Sequence, residues 1–319
     1  MNHHHPLIKT SHNFVLDRKV LFIDSNDRDI ERWPNASEFE INCPQNYTSV
    51  ESLRLLNINL PNFFYNISEQ LQTNKMIVYH DISLHTITLE DGYYNYTQLQ
   101  DALRTKFIAI DNRFDVSYNS INRKFTFLFT QTNGVTFDLR FDLPNNYNCS
   151  KTNYITDVYA QHSNWGLGYI LGFDKIKYTS YPVPHNAHTH QQVISPNPSD
   201  LEHNECVYIE LEKYNKCDEI KPFLYYNFNN TNSGIVNSAF AKIPIYQTNY
   251  NKGLVNDGYL ENSSFYQPPI DKISKLKLKF RYHNGMLVDF HNCNVSLSLE
   301  INQIRNEMNN YEVRTPYKL

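Results

Sequence analysis

The sequence predicts an all-β chain built as an antiparallel β-sandwich, and three features carry that prediction. Near the C-terminus Leu276, Leu278, Phe280 and Tyr282 alternate with Lys275, Lys277, Lys279 and Arg281, the period-2 pattern of a strand with one buried and one wet face. Asn284-Gly285 then interrupts the pattern. This dipeptide readily takes the two positive-φ conformations of a tight turn, so the chain is expected to fold back as a hairpin over Met286 to Phe290. Composition agrees, since 24 Tyr and 19 Phe against 9 Gly in 319 residues favour extended, aromatic-lined faces. A third strand follows, in which Val295, Leu297, Leu299 and Ile301 alternate with Ser296, Ser298 and Glu300. Its apolar face needs a second sheet to cover it.

The earlier elements supply that sheet. Phe14 to Asp24 reads as a strand whose apolar residues cluster at Val20 to Ile23. Ser25 to Ala36, with Asp27, Arg28, Asp29, Glu31 and Arg32, reads as turns and local ion pairs. Ser37 to Cys43 points Phe39 and Ile41 inward as a second strand. Val50 to Leu60 forms a third, in which Leu53, Leu55 and Ile58 alternate imperfectly before Pro61 ends it. From Lys75 the pattern changes. Met76 to Tyr79 and Ile82 to Leu89 read as strands, and a helix capped by Thr97 aligns Leu99, Ala102, Leu103 and Phe107 on one face. Phe114 to Tyr118, Lys124 to Thr130 and Val135 to Phe141 are short strands, the last two joined by a turn at Asn133-Gly134. Tyr178 to Asp200, rich in Pro, His and Asn, is expected to be a surface loop. Val207 to Leu211 and Ala239 to Ile245 return to strand, with Pro244 marking an edge.

Taken in order, FIDSNDRD, WPNASEFEINCP and VESLRLLNINLPNFFYNI, then Gly92-Tyr93-Tyr94, Leu171-Gly172-Phe173, VYIEL and AFAKIPI, resemble the signature of the minor capsid and penton proteins of giant (nucleocytoplasmic large) DNA viruses and of virophages. Asp24, Ser25, Asp27, Arg28, Pro34, Phe39, Leu60, Pro61, Asn62, Tyr65 and Asn66 stand at the matching places. The resemblance covers nearly the whole chain. It implies a structural component of an icosahedral capsid, a penton or another minor capsid protein. Its partners would be copies of itself in a pentamer, the major capsid protein and an inner membrane, with location in the virion and assembly in the host cytoplasm. The competing reading is a virion-displayed module that binds a glycan or a host receptor. The expected fold is an antiparallel jelly-roll sandwich over 13–73 plus 178–305, with a small α+β subdomain inserted at 74–177 and terminal arms at 1–12 and 306–319.

Chemistry is sparse in the sequence. A net charge of -4 argues against coating nucleic acid through an overall basic field, and no specific nucleic acid is expected. Five scattered cysteines, Cys43, Cys149, Cys206, Cys217 and Cys293, suit free thiols in a reducing compartment. Met1 to Thr10 is polar, with no secretory h-region, and no apolar run is long enough to span a bilayer. His185, His188, His190 and His203, with Glu202 and Cys206, are zinc-type ligands, but their spacing matches no structural zinc pattern, so a solvated loop is expected. There is no Gly-x-Ser-x-Gly elbow, and Gly166-x-Gly168 lacks the third glycine of a phosphate loop. No catalytic residue, metal, cofactor or small-molecule substrate is therefore expected. The candidate interface residues are Lys275, Lys277, Lys279 and Arg281, with the aromatic residues Phe63, Phe64, Tyr93 and Tyr94. The basic row could meet an acidic neighbour, lipid headgroups or packaged DNA. The simpler expectation is that lysines along an exposed strand block unwanted edge-to-edge pairing.

Overall fold

The structure, a computed structural model, describes residues 14–61, 64–131, 134–143, 165–185, 188–202, 206–221, 236–245, 254–255 and 263–306. In chain order the elements are β1 (Phe14–Asp24), β2 (Glu38–Leu60), β3 (Lys75–His80), β4 (Ser83–Thr88), α1 (Tyr96–Ile108), β5 (Phe114–Asn119), β6 (Lys124–Gln131), β7 (Asp138–Arg140), α2 (Leu167–Ile170), β8 (Lys177–Thr179), β9 (Tyr181–His185) and β10 (His188–Ile194). They continue with β11 (Cys206–Leu211), β12 (Cys217–Ile220), β13 (Val236–Ala239), β14 (Ala241–Pro244), β15 (Leu254–Val255), β16 (Ser263–Arg281) and β17 (Ser296–Asn306).

One antiparallel path, β1-β17-β2-β16-β11-β14, makes the sandwich. It can form two layers because β2 and β16, at 23 and 19 residues, are long enough to serve both. Late β2, from Val50 onward, pairs with β17, while early β2 (Glu38 to Asn42) pairs with late β16 (Lys279 to Lys275). Counting each long strand twice, one layer runs β1, β17, late β2, early β16, and the other runs early β2, late β16, β11, β14. In chain order those are strands 1-8-3-6 and 2-7-4-5, the jelly-roll arrangement. The sheet turns its corners where the ladder breaks. Cys43 to Asn46 face only Ser274, and Tyr266 to Pro269 face only Glu51. Pro44, Pro268 and Pro269 sit in these surplus segments, where a residue without an N–H costs no ladder bond. A single core draws Leu21, Ile23, Leu297 and Leu299 from the first layer and Val207, Ile209, Leu278 and Phe280 from the second.

Two expectations for the sandwich are corrected. The second and third predicted strands are one continuous β2. Its imperfect alternation has a cause: opposite β17 the ladder skips Glu51 and Leu56. Each skip is a β-bulge that absorbs one residue, so Val50, Leu53, Leu55, Ile58 and Leu60 all face the core at no more than 2% exposure. The turn after β16 also forms, with Gly285 at φ 89°. Met286 to Phe290, however, makes one bridge, Arg281 to Leu287, rather than a strand. Up to Lys279 late β16 has β2 on one side and β11 on the other, so the returning chain finds a free edge only beyond it, where the Tyr282 N–H donates to the Met286 carbonyl at 2.8 Å and the Val288 N–H to the Phe280 carbonyl at 3.0 Å.

The residues between β2 and β11 build a second core on two four-stranded sheets, β5-β6-β10-β9 and β4-β3-β7-β8. Helix α1 closes it with Leu99, Leu103 and Phe107. The cap is Asn95, not Thr97. Asn95 Oδ1 accepts from the Gln98 N–H at 2.9 Å while its own N–H donates to Gln98 Oε1 at 3.0 Å, a capping box. Tyr178 to Asp200 is not a loop. β9 and β10 lie there, and β10 pairs with β6 along the edge a β6–β7 hairpin would have used, while β7 pairs with β3 and β8. Leu201 packs in this second core, so the boundary expected at residue 178 falls inside the insertion. The Leu171-Gly172-Phe173 motif marks its tightest point. Gly172 has φ 86°, and a Cβ there would lie 2.2 Å from the Asn197 carbonyl oxygen.

Candidate assembly surface

The outer face of the second layer carries the basic row, and the row is matched strand by strand. Lys275 Nζ lies 3.0 Å from Glu40, and Lys277 Nζ lies 2.9 Å from Glu38 and 3.6 Å from Glu212. Lys279 stands in register between Glu38 and Glu210. Lys277 also sits 5.2 Å above the Trp33 ring, which Arg32 flanks at 5.4 Å. The strand period put these lysines outward correctly, but glutamates on β2 and β11, invisible to a reading of β16 alone, neutralise them.

Arg281 has the same parity and a different fate. It is 2% exposed, because Glu219 on β12 roofs that end of the face. Arg281 Nη2 donates to Glu219 at 2.6 Å, its Nε donates to Glu210, and its guanidinium lies 5.1 Å over the Tyr208 ring. Glu219 in turn meets His283 Nδ1 at 2.5 Å. Burial by itself would push the Glu219 carboxyl up, but the hydrogen bonds from His283 and Arg281 outweigh it and hold the carboxyl below its ordinary value. Arg281 is thus an internal ion-pair residue and not an interface cation, which corrects the expectation for it.

The aromatic candidates divide. Phe63 lies outside the described residues. Phe64 is 7% exposed and packs edge-on against Phe290 at 6.4 Å, so it belongs to the core. Tyr93 is exposed on the Asp91-Gly92 turn, and the Tyr94 hydroxyl donates to the Glu90 carbonyl at 2.9 Å. Of the histidines proposed together, His190 places Nδ1 3.2 Å from Thr130 Oγ1, and His203 lies outside the described residues. Among the described residues no three His, Cys, Asp or Glu side chains are placed to share a metal ion. Burial pushes the Cys43 and Cys217 thiols up, away from the reactive thiolate.

The first layer presents a different outer face. Rows across its four strands read Arg18-Asn302-Ser52-Phe265 and Val20-Glu300-Arg54-Ser263. The centre is polar and bonded. Arg18 Nη2 meets Glu300 at 2.7 Å, and Asn302 Nδ2 donates to Ser52 Oγ and to Glu300, each at 3.0 Å. The margins are apolar, with Phe22 at 78%, Leu16 at 53% and Val20 at 40% exposure on β1, and Phe265 at 62% on β16. Phe22 and Phe265 are the only exposed phenylalanines whose side chains are described, and both stand on this face. Sequence reading passed over them, although the unbroken run Val20-Leu21-Phe22-Ile23 contained the signal: a strand can hide only alternate members of such a run.

Residues 12–139 match a protein-family model described as a family of unknown function (DUF5901). A search of curated proteins finds no match. Among solved structures, the chain is similar to the mavirus penton protein at 11% identity and a TM-score of 0.40, with 92% of this chain and 99% of that chain covered. It is also similar to a chain of the Sputnik virophage structure at 11% identity and a TM-score of 0.42, covering 93% and 99%.

Proposed function

We propose that this chain is a structural component of an icosahedral viral shell, a penton or another minor capsid protein that assembles through the side faces of its jelly roll. One observation carries the reading: Ser25, Arg28 and Asn66 of the capsid-like signature fasten the connections that enter and leave β2. The Arg28 guanidinium donates to the carbonyls of Ser25 at 2.7 Å, Trp33 at 2.9 Å and Pro34 at 3.1 Å, which locks the turn between β1 and β2. The Ser25 N–H donates to the Val295 carbonyl, and the Val295 N–H donates to Ser25 Oγ, both at 2.8 Å, tying that turn to the head of β17. Beyond Pro61, Asn66 accepts from the Tyr94 N–H at 2.9 Å and donates to the Tyr94 carbonyl at 2.8 Å, fastening the exit of β2 to the head of α1. These residues specify a rigid shape, and a role in a shell asks for nothing else.

A single roll of this length favours the penton position, where heterologous side contacts repeated around a ring would close a pentamer. The major capsid protein and an inner membrane would be its neighbours, in a virion assembled in the host cytoplasm. Native mass spectrometry of the purified chain tests this. Pentamers support the penton reading, and a monomer that binds a glycan array sinks it. The second reading, a glycan- or receptor-binding module, is favoured by a cleft of about 370 Å³ between the sandwich and the insertion. Asn35, Gln70, Asp91 and Asp289 line it beside Tyr65 and His291, whose rings lie 4.0 Å apart.

A further inference from the structure

We propose that β1 is a self-pairing edge, through which two copies of the chain join antiparallel and extend the first layer across a two-fold axis. The sheet edges are not guarded alike. β14 ends one with Lys242 and Pro244, and β9 ends another with Pro182 and Pro184, both devices that deter strand addition. β1 ends the first layer with 11 residues that include neither proline nor glycine, and among the described residues no strand covers its outer side. Of its outward side chains, Leu16, Arg18, Val20, Phe22 and Asp24, the three apolar ones are all exposed. A long apolar edge of this kind either aggregates or has a partner.

The occupant is a second copy because β1 is complementary to itself. Centred on Arg18, an antiparallel pair sets Asp17 opposite Lys19 of the second copy and Leu16 opposite its Val20, on opposite faces of the new ladder. The two arginines that meet at the axis are already neutralised, each by its own Glu300 at 2.7 Å. Centring one residue later sets Lys19 against Lys19, which like-charge repulsion disfavours, while Asp17 is held in its own chain by Arg305 at 2.5 Å and Lys19 at 3.6 Å. Backbone bonds along the free edge would supply affinity, and the apolar and charged rows would supply register. The inference rests on β1 alone and does not need the shell reading.

Native mass spectrometry and light scattering of the full chain, wild type and Val20→Lys, test it together with oxidative cross-linking of Arg18→Cys. The expected result is wild-type species of twice the mass of those formed by Val20→Lys, with the same melting temperature at dilutions where the wild type is dissociated, because Val20 is exposed in the single chain. Arg18→Cys should form a disulfide-linked dimer that neither wild type nor Thr88→Cys, on the exposed face of β4, produces. A wild-type stoichiometry that Val20→Lys leaves unaltered, or no Arg18→Cys cross-link, overturns the proposal. Pentamers that persist in Val20→Lys while the cross-link is absent would sink this edge and leave the penton reading standing.

Discussion

The two layers of the sandwich share one core and two long strands, yet their outer faces solve opposite problems. On the second layer every outward lysine from Lys275 to Lys279 has a glutamate beside it, and the arginine that continues the row is roofed over by Glu219. On the first layer the polar residues bond one another in the centre and leave Leu16, Val20, Phe22 and Phe265 at the margins in solvent. A face whose charges are matched internally offers little to a partner. A face whose apolar side chains are unmatched gains free energy when covered, at roughly 25 cal/mol per Å² of apolar surface removed from water. The basic row draws attention in the sequence because charge is conspicuous, but the exposed apolar side chains stand on the face with the quieter pattern.

The largest expected effect lies on the matched face. Arg281→Met should destabilise the fold by about 3–5 kcal/mol, since it removes the buried arginine from both Glu219 and Glu210 and leaves Glu219 only His283, and Arg281→Met with Glu219→Gln should recover a large part of that loss. Urea denaturation measures both. Acid acts on the same pair. The folded Glu219 carboxyl titrates below its ordinary value of 4.5, so its contribution is fully present above that pH and is lost as pH falls through the depressed folded value. Glu219→Gln should flatten the urea midpoint between pH 5 and pH 3 relative to wild type, and an unchanged slope would remove Glu219 from the account of acid sensitivity. Lys277→Ala, by contrast, breaks a partly exposed pair and should cost about 0.2–1 kcal/mol, less in high salt. The smallest effect on stability belongs to the other face. Phe22→Ser should leave the unfolding free energy of dilute protein within about 0.5 kcal/mol of wild type while lowering self-association. A Lys277→Ala cost as large as that of Arg281→Met, or a Phe22→Ser protein that unfolds, would erase the contrast between the faces.

The alternation of β16 and β17 was legible because each position there contributes one side chain to one face. The 50–60 segment looked irregular because two bulges, at Glu51 and Leu56, shift the phase of an otherwise regular strand, and a bulge has no residue signature of its own. The predicted strand Ser37 to Cys43 stops at a corner, Cys43 to Asn46, that keeps pairing on both sides, so one strand reads as two. β10 was hidden for another reason. Of its positions whose side chains are described, the buried ones are Gln191 and Val193, one polar and one apolar, which weakens the apolar signal of its period. Arg281 was placed on the correct side of its strand but assigned the wrong environment, because its roof comes from a strand 62 residues earlier in the chain. Phe22 was readable in principle from parity and went unread because an apolar run looks like core.

Hydrogen–deuterium exchange of the full chain at low and high protein concentration tests the contrast between faces most directly. The expected result is that amides of 14–24 exchange more slowly as concentration rises, while those of 241–244 and 275–281 keep the same rates at both concentrations. Concentration-dependent protection confined to 241–244 or 275–281, with 14–24 unchanged, would contradict it.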